Sequence, residues 1–211
     1  MFNLLLFKTI LLLLWRLGIG KQQLVVLYKY ISPSLFSENS DKIHLGEAMN
    51  WLKHAQDIDR TDKGVSCVFY LQTGWGVSYP ETSGYILATY LAYAKISNDQ
   101  QYIQRAIDIA DWEIKIQAPN GGVYSNPTPG NIAAFNTGQV ILGWCSIYEH
   151  TGKQKYLDAA IRAGNYLKIA QDLDGNWIKG SYSGARTYEA RVDWALLRLA
   201  QLTNDDTYRD I

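Results

Sequence analysis

The sequence predicts an all-α protein built from repeated pairs of antiparallel helices, and three observations carry that expectation. A self-similarity with a 54-residue period begins near residue 83, and a period of this length marks an array of supersecondary units. Within each unit an almost wholly apolar helix is followed by an amphipathic one. The links inside each pair are short and made of helix-stop and helix-start residues, so the two helices are antiparallel neighbours.

The repeat is read from particular positions. Gly84 matches Gly138, Tyr102 matches Tyr156, Ala106-Ile107 matches Ala160-Ile161, Gln117 matches Gln171, and Gly121 matches Gly175. A third copy starts at Glu189, which matches Thr137, and runs through Tyr208. Tyr85 to Ile96, Val140 to Tyr148 and Val192 to Leu202 are apolar nearly all round, which predicts inner helices buried on most sides. Ile103, Ala106, Ile107, Ala110 and Ile114 recur at helical spacing opposite Gln104, Arg105, Asp108, Asp111 and Lys115, and Tyr156 to Ala170 repeats that pattern, so these are outer helices. The links are Ser97-Asn98-Asp99, Thr151-Gly152-Lys153 and Thr203-Asn204-Asp205. Longer returns, rich in glycine, asparagine and aromatic residues, lead into the next inner helix. A further helix is expected near His44 to Asp57 and a last one from Asp206, making about seven.

Length and composition fit one sizeable core, with 47% hydrophobic residues in 211. The 20 basic and 20 acidic residues leave no net field to attract nucleic acid. Charge is unevenly placed: residues 1–37 hold Lys8, Arg16, Lys21 and Lys29 and no acid, so they carry +4 and the remainder −4. Phe2 to Leu17 is apolar, but Lys8 and Arg16 interrupt it short of the ~20 residues that span a bilayer. A helix with a narrow Lys8/Thr9/Arg16 stripe, followed by Gln22 to Ile31, suits peripheral contact with a cytoplasmic membrane surface through residues 1–31. A hydrophobic lid packed on the domain and an uncleaved signal anchor are the alternatives. Ser32-Pro33-Ser34 breaks the helix, giving an amino-terminal segment of 1–37 and a repeat domain of 38–211 with units 83–136, 137–188 and an incomplete 189–211. Cys67 and Cys145 read as two buried thiols, and His44, His54 and His150 have no ligand spacing, so no metal or other cofactor is expected.

The alternation of inner and outer helices, Gln-x-x-x-Gly-x-Trp at Gln171 to Trp177, and the junctions YPETSGY, FNTGQ and YEARVDWALL resemble the α/α-toroid superfamily, most closely six-hairpin-glycosidase-like proteins associated with polysaccharide biosynthesis. The resemblance covers residues 44–211 and implies a partial α/α toroid. A closed ring of six hairpins at this period would need about 320 residues. A truncated reading frame is the simplest explanation; otherwise an open arc covers its apolar edge with the amino-terminal segment or a second chain.

The resemblance also implies that the loops entering the inner helices gather round one mouth. Tyr79, Glu81, Tyr85, Asn136, Thr137, Gln139, Tyr188, Glu189, Arg191 and Asp193 belong to that mouth, with Trp75, Tyr124 and Trp177 on the same loops. Aromatic faces with amides, carboxylates and an arginine suit a sugar. Glu81 and Glu189 are nominated as a catalytic pair, one donating a proton to the leaving oxygen, the other ionised; the competing reading is that both acids cap helices. Arg191 either clamps a uronate or pairs with Glu189, and Asp193 either reaches the cavity or is a satisfied core acid. Asp205, Asp206 and Asp210 read as a capped, solvated helix start. The leading function is action on an oligo- or polysaccharide, glycoside hydrolysis first, at a cytoplasmic site. The alternatives are a non-catalytic sugar-binding or scaffold role and uronate epimerase or lyase chemistry.

Overall fold

The computed structural model describes residues 4–21, 23–25, 28, 40–58, 61–181, 184 and 187–210. Its helices are α1 (Leu4–Arg16), α2 (Asp41–Gln56), α3 (Pro80–Ser97), α4 (Gln101–Ile116), α5 (Ala134–Thr151), α6 (Gln154–Ala170) and α7 (Ala190–Thr203). Strands β1 (Phe69–Tyr70) and β2 (Gly74–Trp75) form a two-stranded antiparallel hairpin. The break expected at Ser32-Pro33-Ser34 and most of Gln22 to Ile31 lie outside the described residues. No helix of the described residues is long and apolar enough to cross a membrane.

The chain divides into two compact units, Met1–Ala55 with Cys67–Gly76, and Gln56–Ser66 with Val77–Ile211. In the first, the hairpin register pairs Phe69 with Trp75 and Tyr70 with Gly74. Gly74 has a positive φ, which lets a three-residue loop close the hairpin. Trp75 packs against Trp51, His54 and Phe69, with ring centroids 4.7, 5.5 and 5.3 Å apart. Cys67, expected to be buried, is exposed, because it precedes this hairpin instead of sitting on a core-facing helix; Cys145 is buried as expected.

The second unit is all-α, in two layers. Inner helices α3, α5 and α7 lie side by side, and outer helices α4 and α6 back α3 and α5. Each inner helix starts earlier than the apolar pattern suggests. Pro80, for example, opens α3 at a position where a missing N–H costs nothing. Glu81, Asn136 and Thr137, expected in entrance loops, therefore occupy first turns.

Several marks of the repeat have a contact behind them. A Cβ on Gly84 would lie 2.8 Å from the Gln139 carbonyl oxygen, and one on Gly138 would lie 3.1 Å from Val192 Cα. Both glycines let one inner helix approach the next. Each inner helix ends in a left-handed cap, at Asn98, Gly152 and Asn204, which turns the chain back into the outer layer. The glutamines are staples: Gln117 Nε2 donates to the Gly121 carbonyl at 2.8 Å and the Ala159 carbonyl at 3.0 Å. Gln171 donates to Gly175 at 3.1 Å. Gln56 donates to Lys63 and Arg105 carbonyls at 3.1 and 3.2 Å, so the same device recurs at the end of α2. The helix expected from Asp206 is a single 3-10 turn, Asp206–Tyr208, capped by the Asp205 side chain accepting from the Thr207 N–H at 3.0 Å.

Candidate functional site

Positions 85, 139 and 191 are equivalent in the repeat, and they carry Tyr85 and Gln139 in the second turns of α3 and α5 and Arg191 in the first turn of α7. Three residues further on stand Ala88, Leu142 and Trp194, and four beyond those stand Ala92, Ser146 and Arg198. Residues spaced three and seven apart share one face of a helix. The three matching stripes wall a pocket of about 440 Å³, lined by the first two layers and by Ser146, Arg198 and Gln201. Ala92 lines an adjoining pocket that shares Ala88 and Ser146 with the first and adds Lys95, Glu149 and His150. Together they form a groove along the inner layer.

Electrostatics at its upper end centre on Glu81, Tyr85 and Arg191. The Arg191 guanidinium carbon lies 5.0 Å from the Tyr85 ring centroid and 5.6 Å from the Trp194 ring. This cation–π sandwich fixes an otherwise mobile side chain. Burial raises the Glu81 carboxyl above the usual glutamate range, while the nearby Arg191 cation and a hydrogen bond with Tyr85 pull it partly back. Burial also raises Tyr85 and Asp193, the latter half-buried in the first turn of α7. Lower in the groove Arg198 is paired with Glu149 of α5.

Several polar groups behind this wall have no hydrogen-bond partner. Gln139 is 0% exposed, and neither its Oε1 nor its Nε2 is partnered. Buried Asn136 donates through Nδ2 to the Tyr124 carbonyl at 3.4 Å, but its Oδ1 accepts nothing. Glu189 is buried at the start of α7 with Oε1 unpartnered. Leaving such a group without a partner costs about 1–3 kcal/mol, so their concentration near the starts of α5 and α7 marks the wall as a place where polar groups await partners.

The repeat gives Glu189 a second character. In the first two copies its position holds a hydroxyl. Ser83 Oγ donates to the Tyr79 carbonyl and accepts from the Val65 N–H at 2.9 Å. Thr137 Oγ1 donates to the Ala133 carbonyl and accepts from the Val123 N–H at 3.0 Å. Each pins its incoming loop to the helix start. Glu189 replaces that pin with a carboxylate.

The remaining expected residues divide. Tyr79 is half-buried and leads into α3, its N–H bonded to the Val65 carbonyl at 3.0 Å. Tyr188 meets Phe135 edge to face at 4.9 Å. Trp177 is 3% exposed and its indole donates to the Leu167 carbonyl at 2.9 Å, so it seals its loop. Tyr124 is half-buried and bridges to Ile132 through its backbone. Trp75 belongs to the first unit. Sequence reasoning passed over Leu142, Ser146, Trp194 and Arg198, although adding three and seven to the aligned positions 85, 139 and 191 finds them. Among the described residues no three His, Cys, Asp or Glu side chains gather as a metal site would require.

Comparison with known proteins adds a family and a fold. The family model described as beta-L-arabinofuranosidase, GH127 catalytic domain, matches residues 48–211. No curated protein matches the chain. A family 76 glycoside hydrolase from a bovine Bacteroides thetaiotaomicron strain superposes with a TM-score of 0.60 at 19% identity, over 92% of this chain and 45% of its own. A GH76 alpha-mannanase from Bacteroides thetaiotaomicron superposes with a TM-score of 0.64 at 17% identity, over 89% of this chain and 57% of its own. A family 76 glycoside hydrolase (mannosidase) from strain VPI-5482 of that species gives 0.60 at 18%, over 92% and 56%. The chain thus spans about half the length of these structures, and at such identities the likeness is one of fold: the six-hairpin, α/α-toroid class.

Proposed function

The chain belongs to the family of the beta-L-arabinofuranosidase GH127 catalytic domain, and on that premise we propose that the inner-layer groove binds a glycan and cleaves a glycosidic bond, with Glu81 as proton donor. The observation that carries this reading is the state of Glu81. It is a half-buried carboxyl raised by burial, hydrogen-bonded to Tyr85, beside a pocket walled by two aromatic rings, a stacked arginine and an amide. A general acid must keep its proton near the working pH, and burial is the physical means.

In the proposed reaction the Glu81 proton passes to the departing glycosidic oxygen as the bond from C1 breaks. Water adds its oxygen to C1 and gives its proton to a second carboxylate. Glu189 is the candidate for that role, supported by its buried, unpartnered Oε1 and by its replacement of the loop-pinning hydroxyl. Arg191 and Trp194 would meet ring hydroxyls and the sugar's apolar face, backed by the buried amides Gln139 and Asn136, with Tyr79, Tyr85, Tyr124, Tyr188 and Asp193 at the rim. Trp177 acts as support from behind and Trp75 is left out of this assignment.

The second reading is a sugar-binding module without turnover. It draws on the burial of Glu189, only 4% exposed behind the groove wall. One experiment separates them: the chain and its Glu81→Gln and Glu189→Gln variants are incubated with arabinofuranosides and α-mannan oligosaccharides, the classes suggested by the family description and the structural relatives. Turnover by the parent, lost in both variants with binding retained, supports hydrolysis. Turnover that survives both substitutions removes the assignment, and binding without turnover in the parent selects the module.

A further inference from the structure

We propose that α1 and the tip of the β1–β2 hairpin form a docking surface for an anionic lipid bilayer. Ile10, Leu11, Leu12 and Leu13 are consecutive and all exposed, Leu12 most of them at 57%. Consecutive helical residues point about 100° apart, so these four cover most of the circumference. Leu6 and Leu17 extend the apolar surface along the helix. A helix that is apolar on nearly every side is stable in an apolar medium, not in water.

Lipid is favoured over protein as that medium by charge. The charged residues on and just after α1 are Lys8, Arg16 and Lys21, all exposed and all basic. Lys8 and Arg16 lie about 80° apart around the helix, which gives one narrow cationic stripe on an otherwise apolar cylinder. Long basic side chains in that arrangement reach the headgroup level while their stems and the leucines sit below it. The 13 residues of α1 give a length of about 20 Å, short of a hydrocarbon core of about 30 Å, so the helix lies in the interface.

The hairpin adds a second contact. A Cβ on Gly18 would lie 3.4 Å from Gln72, so the chain just after α1 touches the hairpin turn. Beside Gln72 stand Tyr70 and Leu71, 52% and 56% exposed. A tyrosine and a leucine at the end of a cationic apolar helix suit the boundary between headgroups and acyl chains.

Co-flotation of the full chain with phosphatidylcholine vesicles, prepared with and without phosphatidylglycerol, tests the proposal. Binding to the anionic vesicles is expected, weakening with added salt. Lys8→Ala, Arg16→Ala and Lys21→Ala should each reduce it roughly fivefold. Leu12→Gln and Leu71→Gln should each reduce it roughly tenfold, with thermal unfolding of the repeat unit unchanged. Equal binding to both vesicle types, or no effect of the leucine substitutions, would overturn the proposal. So would a dimer in solution that Leu12→Gln dissolves, since a second copy of the chain would then be the occupant.

Discussion

Replacing Glu113 with leucine should stabilise this protein, and should do so more as the pH rises. Glu113 lies on α4 at 1% exposure, with both carboxyl oxygens unpartnered. Burial pushes its carboxyl well above the ordinary value of 4.5. One repeat later the same position holds Leu167, fully buried, so the outer layer accepts leucine there without rearrangement. Removing a buried, unsatisfied polar group recovers about 1–3 kcal/mol at low pH, where the acid is neutral folded and unfolded. Above pH 4.5 the unfolded chain releases the proton while the folded chain retains it. The parent therefore loses stability at up to about 1.4 kcal/mol per pH unit until the folded-state titration is reached, and the leucine variant does not. Urea unfolding followed by tryptophan fluorescence at pH 5, 6, 7 and 8 measures the gap, since the other titrating groups are shared. Glu113→Gln is the control: it removes the pH dependence and keeps an unpartnered polar group. A leucine variant less stable than the parent at pH 7, or a gap that stays constant with pH, would refute the reasoning and mean that Glu113 is ionised and satisfied in the fold.

Gly84→Ala gains about 1 kcal/mol of helix propensity but drives a Cβ to 2.8 Å from a backbone carbonyl. Such overpacking costs about 1–3 kcal/mol, so chemical denaturation should show net destabilisation. Asn204→Gly should hold or raise the melting temperature, because the positive φ there suits glycine, while Asn204→Ala should cost about 1 kcal/mol. Gln139→Met should raise stability by roughly 1 kcal/mol in urea unfolding, because it removes an unpartnered amide. The same variant should lower affinity for oligosaccharide in calorimetry if the amide meets sugar. Arg191→Gln removes the cation that lowers the Glu81 titration, so the Glu81 midpoint should move to higher pH, followed by carbon-13 NMR of the carboxyl or by the alkaline limb of the turnover profile.

The architecture was legible in the sequence wherever a local rule or the repeat expressed it. Asn98, Gly152 and Asn204 mark their helix ends because only a left-handed residue turns the chain back at once. Gln117 and Gln171, matched in sequence, are matched in the fold because each closes the loop round a glycine. The helix starts were less legible: apolar pattern begins where burial becomes continuous, whereas α3 and α5 begin a turn earlier on Pro80, Ser83, Asn136 and Thr137, which are polar or conformational choices. Of the candidate groove, the sequence picks out Tyr85, Gln139 and Arg191 as positions and leaves the surface unread. Trp194 and Arg198 sit on the groove face of α7, and a single apolar-all-round helix does not reveal which of its faces meets the cavity.

The all-α class, the period, the pairing of inner with outer helices and the residues that turn one into the next all follow from the amino-acid order, because they depend on contacts within a few residues or on exact recurrence. Three-dimensional packing is what turns Tyr85, Gln139 and Arg191 toward one groove, makes Trp177 the seal of a loop, stands Glu189 where Ser83 and Thr137 pin theirs, and buries Glu113 without a partner. The groove depends on how closely the inner helices approach one another, and that approach is set by glycine contacts between residues about 54 positions apart, beyond the reach of local pattern; Trp177 and Glu113 are decided by packing in the outer layer.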